Sequence, residues 1–273
     1  MVNTKNEKMR RLTWEHGLYC VSAYLKQEGE PADAFAKCCR RRVNAMFWRV
    51  PILLWAVGVM CWSTSTFWGP WGMYLLYMTH WGLVLIVLES VLGIIVAGKR
   101  SCGGLPDDSA QGLPWIVKLY WVIYNVTIPV SFLITVFYWG ILRNSHKVIN
   151  YAPNPILDVM LHGVNSGVML LELACSGHPS RLIHIMQPLY FGLAYLLFTV
   201  FYWAVGGIDP WGNPFIYPVI DWAKPDQTMV VLTLTAIFLA LMHLLVVGVS
   251  SLRDVIAKQC RSNVGKYNEN LVA

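Results

Sequence analysis

Six stretches of this chain are long and mainly apolar, and short polar or turn-forming segments divide them. They run Met46–Ser63, Trp71–Ala97, Pro114–Leu142, Ile156–Cys175, Leu182–Val205 and Thr228–Ser251. A helix needs about 20 mainly apolar residues to cross the hydrocarbon of a bilayer, and each stretch is close to or beyond that length. Hydrocarbon offers no partner for backbone N–H and C=O groups, so each span must satisfy its own, and the runs are too uniformly apolar for barrel strands. The pattern predicts an all-α, polytopic integral membrane protein with six transmembrane helices. It predicts an arm over residues 1–45, a membrane domain over 46–252 and a tail over 253–273.

Composition narrows the class further. Charged residues make up 13% of the 273, and hydrophobic residues 56%. Average soluble domains carry about 25% charge, so a soluble enzyme, a disordered protein and a nucleic-acid partner are all disfavoured. The bilayer itself is the expected partner. The +6 net charge is a topology signal because its distribution is lopsided. Eighteen of the 21 Lys and Arg lie before or at the start of span one, around the loop after span two, after span four or after span six, and only Arg143, Lys147 and Lys224 lie on the other side. Lys and Arg collect on the cytosolic side, which predicts that both termini are cytosolic. The membrane is expected to be the plasma membrane or the endoplasmic reticulum. No cleavable signal is evident, and a short amphipathic helix is expected around Trp14–Leu25. The seven cysteines show no metal spacing. Cys38 and Cys39, just before Arg40-Arg41-Arg42 and span one, suit S-palmitoylation beside a basic patch.

An ionisable or strongly polar side chain inside a span is costly and marks a candidate site. Span four is richest, with Asp158, His162, Asn165 and Glu172 at spacings of four, three and seven, which place all four on one helical stripe. Gly163, Ser166 and Gly167 are expected to let a neighbouring helix approach closely. Counting along regular helices, Thr79 is about 12 Å past Trp71 and His162 about 9 Å past Ile156, so the two sit at similar depth in the outer half of the membrane. Glu89, Glu172, His184 and His243 fall in the inner half, where they are expected to pair or to reach the interface. That depth difference disfavours a metal site built from His162, His184 and His243. No cofactor is expected.

A threonine hydroxyl becomes a nucleophile when a neutral imidazole removes its proton during attack. His162 is placed to do this for Thr79, and Asp158, one turn earlier, to orient the ring and stabilise its cation. Asn165 or Asn125 offers an amide donor to a developing oxyanion, and His80 is a further supporting candidate. A substrate arriving from lipid would be an acyl chain bearing an ester. The plainer reading of the same residues is that they hydrogen-bond between helices and hold the bundle together. A transporter ranks lower, because no inverted repeat or pair of similarly broken helices is evident.

Several segments carry a family resemblance: Tyr77-Met78-Thr79-His80-Trp81-Gly82, the run 120–139 with Asn125 and Thr135, His162-Gly163-Val164-Asn165 with His178-Pro179-Ser180, and Tyr217-Pro218-Val219-Ile220-Asp221-Trp222. Over roughly residues 40–255 the sequence resembles the rolling stone family of multi-pass membrane proteins, one of which is associated with myoblast fusion. That family is in turn distantly similar to the androgen-induced and androgen-dependent integral membrane proteins, which are threonine hydrolases of fatty-acid esters of hydroxy fatty acids. By position, the resemblance implies Thr79 as nucleophile and His162 as base. It also implies the alternative of a non-catalytic protein acting in cell–cell fusion or adhesion.

Overall fold

In the computed structural model, residues 32–38, 43–104, 112–143 and 154–272 are described. The amphipathic segment expected around Trp14–Leu25 lies outside them, as does Cys39. Six helices are long and apolar enough to cross a membrane: α1 Met46–Ser65, α2 Met78–Ser101, α3 Trp115–Leu142, α4 Pro155–Cys175, α5 Leu182–Ala204 and the membrane part, Pro225–Cys260, of α6. α6 itself runs from Pro225 to Val272, so helix continues through the segment expected to be a separate tail. Helix α3 is the hub. It is the most enclosed of the six, while α5 and α6 are the least and present most of their surface outward.

The bundle has two ends of different character. The Arg49 end gathers the start of α1, the end of α2, the start of α3 and the end of α4. The Thr79 end gathers the start of α2, the end of α3 and the start of α4, and the connection 206–224 folds over it, with Ile216 and Tyr217 buried. Close approach is set by glycines of α2 rather than of α4. A Cβ on Gly82 would lie 2.4 Å from Ile134 Cδ1, and one on Gly93 would lie 2.9 Å from Arg49 Cδ, whereas Gly167 faces open space. Of the α4 residues expected to admit a neighbour, Ser166 does so by hydrogen bonding, its hydroxyl donating to the Ser131 carbonyl at 2.8 Å.

The largest departure from the sequence reading is the start of span two. Trp71–Leu76 forms a 3₁₀ turn, Tyr77 is extended, and α2 begins at Met78. Continuing as an α-helix would direct the carbonyls of Tyr74, Leu75 and Leu76 to the N–H groups of residues 78–80. Side chains take them instead. His80 Nδ1 donates to the Tyr74 carbonyl, Trp81 Nε1 to that of Leu75 at 2.7 Å and the Tyr195 hydroxyl to that of Leu76 at 2.6 Å. The Met78 N–H donates to the Tyr217 hydroxyl at 3.0 Å. Thr79 is therefore the second residue of its helix, in the first turn, rather than two turns into a continuous span.

Two basic residues read as topology charges are buried. Arg49 crosses α2 at Gly93, and Arg253 of α6 donates to the Leu173 and His178 carbonyls at 2.9 and 2.8 Å, closing the end of α4. Carbonyls at a helix C-terminus lack intrahelical donors, and a guanidinium is well suited to supply them.

Candidate active site

Helix α4 opens with an ordinary cap: the Asn154 side chain accepts the Ile156 N–H, and Pro155 stands at the first helical position. Over Met160–Val164 the helix widens into a π turn. Such turns occur often at functional sites. His162 is at the centre of this one, its carbonyl accepting from Trp139 Nε1 at 2.9 Å. The ring lies flat against Tyr138 of α3, with centroids 3.5 Å apart and planes 8° from parallel.

Across the helix boundary, His162 Nε2 is 3.2 Å from the Thr79 hydroxyl. Nδ1 is 2.8 Å from Asp158 Oδ1 and 3.1 Å from the Asp158 carbonyl oxygen. A carboxylate and a carbonyl can only accept, so Nδ1 carries the proton and Nε2 presents its lone pair to Thr79. Asp158 Oδ2 accepts from Arg143 Nη1 at 2.9 Å, which ties the end of α3 to the start of α4. The result is a continuous chain from Arg143 through Asp158 and His162 to Thr79.

Two cavities meet at Thr79. A pocket of about 20 Å³ borders Thr79, His80, His162 and Tyr217, enough for one water. A chamber of about 290 Å³ extends from Thr79 between α3, α5 and α6, past Leu133, Leu189, Leu193 and Leu239. At ~30 Å³ for a water-sized group, a volume similar to that of a methylene, the chamber holds about ten of them. Two hydroxyls along its wall are turned into their own helices, with Thr199 donating to the Leu196 carbonyl at 2.8 Å and Thr235 to that of Val231 at 2.7 Å. Polar character is thus concentrated where Thr79 and Tyr217 lie.

The supporting candidates fare differently. His80 borders the small pocket, but its ring is stacked on Tyr74 at 3.7 Å, with Nδ1 on the Tyr74 carbonyl and Nε2 3.4 Å from the Ser63 hydroxyl. Those contacts make it a helix-start residue. Asn165 does not line either cavity at Thr79; its Oδ1 accepts from the Thr135 hydroxyl at 3.2 Å. The π turn adds the equivalent of one residue to the winding, so Asn165 no longer stacks beneath His162. Asn125 is farther away. It lies thirteen residues before Tyr138 on α3, about 20 Å along the axis, and its amide donates to His184 Nδ1 at 2.9 Å and to Gln187 at 3.1 Å. Neither amide is placed to serve an oxyanion at Thr79. His243 donates to the Arg181 carbonyl at 3.1 Å, so His162, His184 and His243 each face different partners. Cys38 is half-buried, with its backbone bridged to Ser176.

Sequence reasoning passed over three residues here: Tyr138, Tyr217 and Arg143. Only Arg143 left a signal. It and Asp158 are opposite charges flanking the short connection between spans three and four, where a hairpin brings them together.

The family model described as "Protein rolling stone" matches residues 40–264. That stretch is most of the chain. The protein belongs to the rolling stone family. Among curated relatives, "Protein rolling stone" of Drosophila melanogaster is 30% identical over 183 residues, 63% of this chain and 63% of that protein. The chain thus spans somewhat under two thirds of that relative's length. No solved structure matches it. Membership agrees with the six spans in making this a multi-pass integral membrane protein, and residues 79 and 162 both fall within the matched region.

Proposed function

We propose that this rolling stone protein is an intramembrane hydrolase of lipid esters, with Thr79 as nucleophile and His162 as general base. The observation that carries the reading is the hydrogen-bonding of His162: acceptors on Nδ1 leave the Nε2 lone pair facing the Thr79 hydroxyl at 3.2 Å. In the reaction, Thr79 Oγ1 forms a bond to the ester carbonyl carbon while its proton passes to Nε2. Asp158 stabilises the resulting imidazolium without taking its proton. Collapse of the tetrahedral intermediate breaks the bond to the alcohol oxygen, which leaves with the proton from Nε2. A water in the small pocket, deprotonated by the same nitrogen, then attacks the acyl-threonine and releases the acid. The 290 Å³ chamber suits an acyl chain entering from lipid between α5 and α6. On this reading Thr79 works in the non-cytosolic leaflet of the plasma membrane or the endoplasmic reticulum, which the bias of Lys and Arg toward the Arg49 end supports. Palmitoyl groups on Cys38 and Cys39 would then anchor the opposite, cytosolic face.

An alkyl fluorophosphonate tests the assignment directly. Thr79 oxygen bonds to phosphorus, fluoride leaves, and the protein becomes labelled. Wild type is expected to label and Thr79→Ala not to; equal labelling of a folded Thr79→Ala protein rules the nucleophile out.

The competing reading, a non-catalytic role in cell–cell fusion or adhesion, needs recognition surface outside the membrane. The largest connection at the Thr79 end, 206–224, instead folds back over the cavities. Fusion activity that survives loss of both Thr79 and His162 would favour that alternative.

A further inference from the structure

A hydrolase acting through Thr79 keeps the acyl half of its ester covalently on the threonine while the alcohol departs, so the acyl chain needs a seat of its own. The chamber of about 290 Å³ starts at Thr79 and, among the described residues, no charged side chain lines it. Its far end is shut. There Leu133 and Leu239 are buried and belong to one packed cluster with Leu85, Val126 and Val130. Its flank lies between α5 and α6, where Leu193 and Ala236 are exposed and a chain can enter from lipid. We infer that the closed end measures the substrate, so that the site takes esters of unsubstituted medium-chain acids of about eight to twelve carbons. Gly192 and Leu239 set that limit, which rests on the hydrolase reading above.

Volume and length agree on that size. By volume, the chamber holds about ten methylene-sized groups at ~30 Å³ each. By length, its wall runs on α5 from Thr199 to Leu189 and on α6 from Leu232 to Leu239, about 15 and 10 Å at the helical rise. Carbon–carbon bonds of about 1.5 Å at near-tetrahedral angles advance an extended chain by about 1.25 Å per methylene, so those walls match about eight to twelve carbons. The Thr199 and Thr235 hydroxyls are donated to their own helices, which suits a chain without polar substituents. A Cβ on Gly192 would stand 3.4 Å from Leu239 Cδ2, in contact with the floor. A larger side chain at 192 therefore competes with the end of the acyl chain for the same space.

The experiment measures kcat/KM of the full chain, purified in one detergent, on p-nitrophenyl butyrate, hexanoate, decanoate and palmitate, for wild type, Gly192→Leu and Thr79→Ala. A methylene too many for an apolar pocket costs about tenfold or more, so wild type is expected to peak at decanoate and to turn over palmitate at least about tenfold more slowly. Gly192→Leu adds about four methylene-sized groups, which should move the peak to hexanoate and lower the decanoate-to-hexanoate ratio at least about tenfold. Comparing that ratio between the two proteins cancels the partition of each ester into micelles, and the ratio does not depend on how much of the variant folds. Palmitate turned over by wild type as fast as decanoate would overturn the length limit, the chain then leaving through the α5–α6 flank or the chamber holding a bilayer lipid. A Gly192→Leu ratio equal to that of wild type would put the chain outside the chamber and overturn the limit as well. If Gly192→Leu does not fold, the wild-type profile decides alone. Wild-type turnover no higher than that of Thr79→Ala removes the hydrolase reading and the length limit with it.

Discussion

Among the described residues, a buried polar cluster stands at each end of the bundle, and the two are built on opposite plans. At the Arg49 end the hydrogen-bonding of the charged pair is saturated. Arg49 Nε donates to Glu172 at 3.0 Å, Nη1 to the Phe35 and Gly93 carbonyls at 2.9 Å each, and Nη2 to the Tyr120 hydroxyl at 2.5 Å. Glu172 also accepts from Trp48, Tyr120 and Ser176 at 2.6, 2.9 and 2.9 Å. At the Thr79 end a shorter chain of bonds stops at a hydroxyl that faces two cavities. A saturated pair has nothing left to offer a ligand, and its work is to fasten α1, α2, α3, α4 and the segment before α1 to one another. A chain that ends on a cavity is placed to react. Number and cost of buried polar groups do not separate the two ends; what separates them is whether the last group in the network has a protein partner or an opening.

Each of four variants or measurements bears on that contrast. The largest effect is expected from Thr79→Ala, which should lower ester turnover by about 10⁶-fold, the scale for losing the nucleophile of a nucleophile–base unit. Its thermal unfolding in detergent should stay close to wild type; a large fall in stability would make Thr79 a structural residue like Arg49. Arg49→Met should behave in the opposite way. It strands Glu172 in the core, which costs about 3–5 kcal/mol, and should be seen as a strongly lowered melting temperature or loss of folded protein. If Arg49→Met folds normally and only activity falls, the division between the two ends fails.

Gly93→Ala should produce a smaller version of the Arg49 defect, about 1–3 kcal/mol, because the new methyl would press on the Arg49 side chain against packed helices. Thermal unfolding of the purified variant measures it, and activity per folded molecule should be unchanged. The smallest effect is a pH dependence seated in the connection between α4 and α5. His178 is buried there, stacked on Phe35 at 4.6 Å. Burial first, then the Arg49 and Arg253 guanidinium groups, hold its pKa well below the ordinary value. The unfolded chain takes up a proton near pH ~6.5 that the folded protein refuses, so this contribution to stability is full above that pH. It declines as pH falls below, by up to about 1.4 kcal/mol per unit. Melting curves between pH 7.5 and 5 should show the slope, and His178→Phe should flatten it.

Much of the fold was legible from the chain because the signal is one-dimensional. Runs such as 228–251 are apolar over the length a bilayer requires, and span boundaries follow within a few residues from Lys99-Arg100 or the Pro-rich 206–227 segment. The approach of Thr79 to His162 was anticipated from depth, yet the route to it was not. The count from Trp71 assumed α-helical rise, whereas the 3₁₀ turn and extended Tyr77 reset the start of α2. The side chains responsible, Tyr195 and Tyr217 above all, lie over a hundred residues away in sequence. Likewise, Asp158 and His162 at spacing four could be paired by inspection, but the π turn that sets Asn165 apart from them has no spacing signature. Arg49 and Arg253 read as interface charges because a Lys or Arg near a span end looks the same whether it points to headgroups or into the bundle.

The number of spans, the charge asymmetry between the two ends and the short inventory of polar side chains that lipid would penalise can all be read along the chain. Hydrophobicity and charge act residue by residue against a nearly uniform solvent, so they can be summed along the chain. Which of those polar groups meet, and which face an opening, emerges once the helices pack. That outcome depends on distant hydroxyls and amides competing for the same few carbonyls, and a competition of that kind is settled in three dimensions.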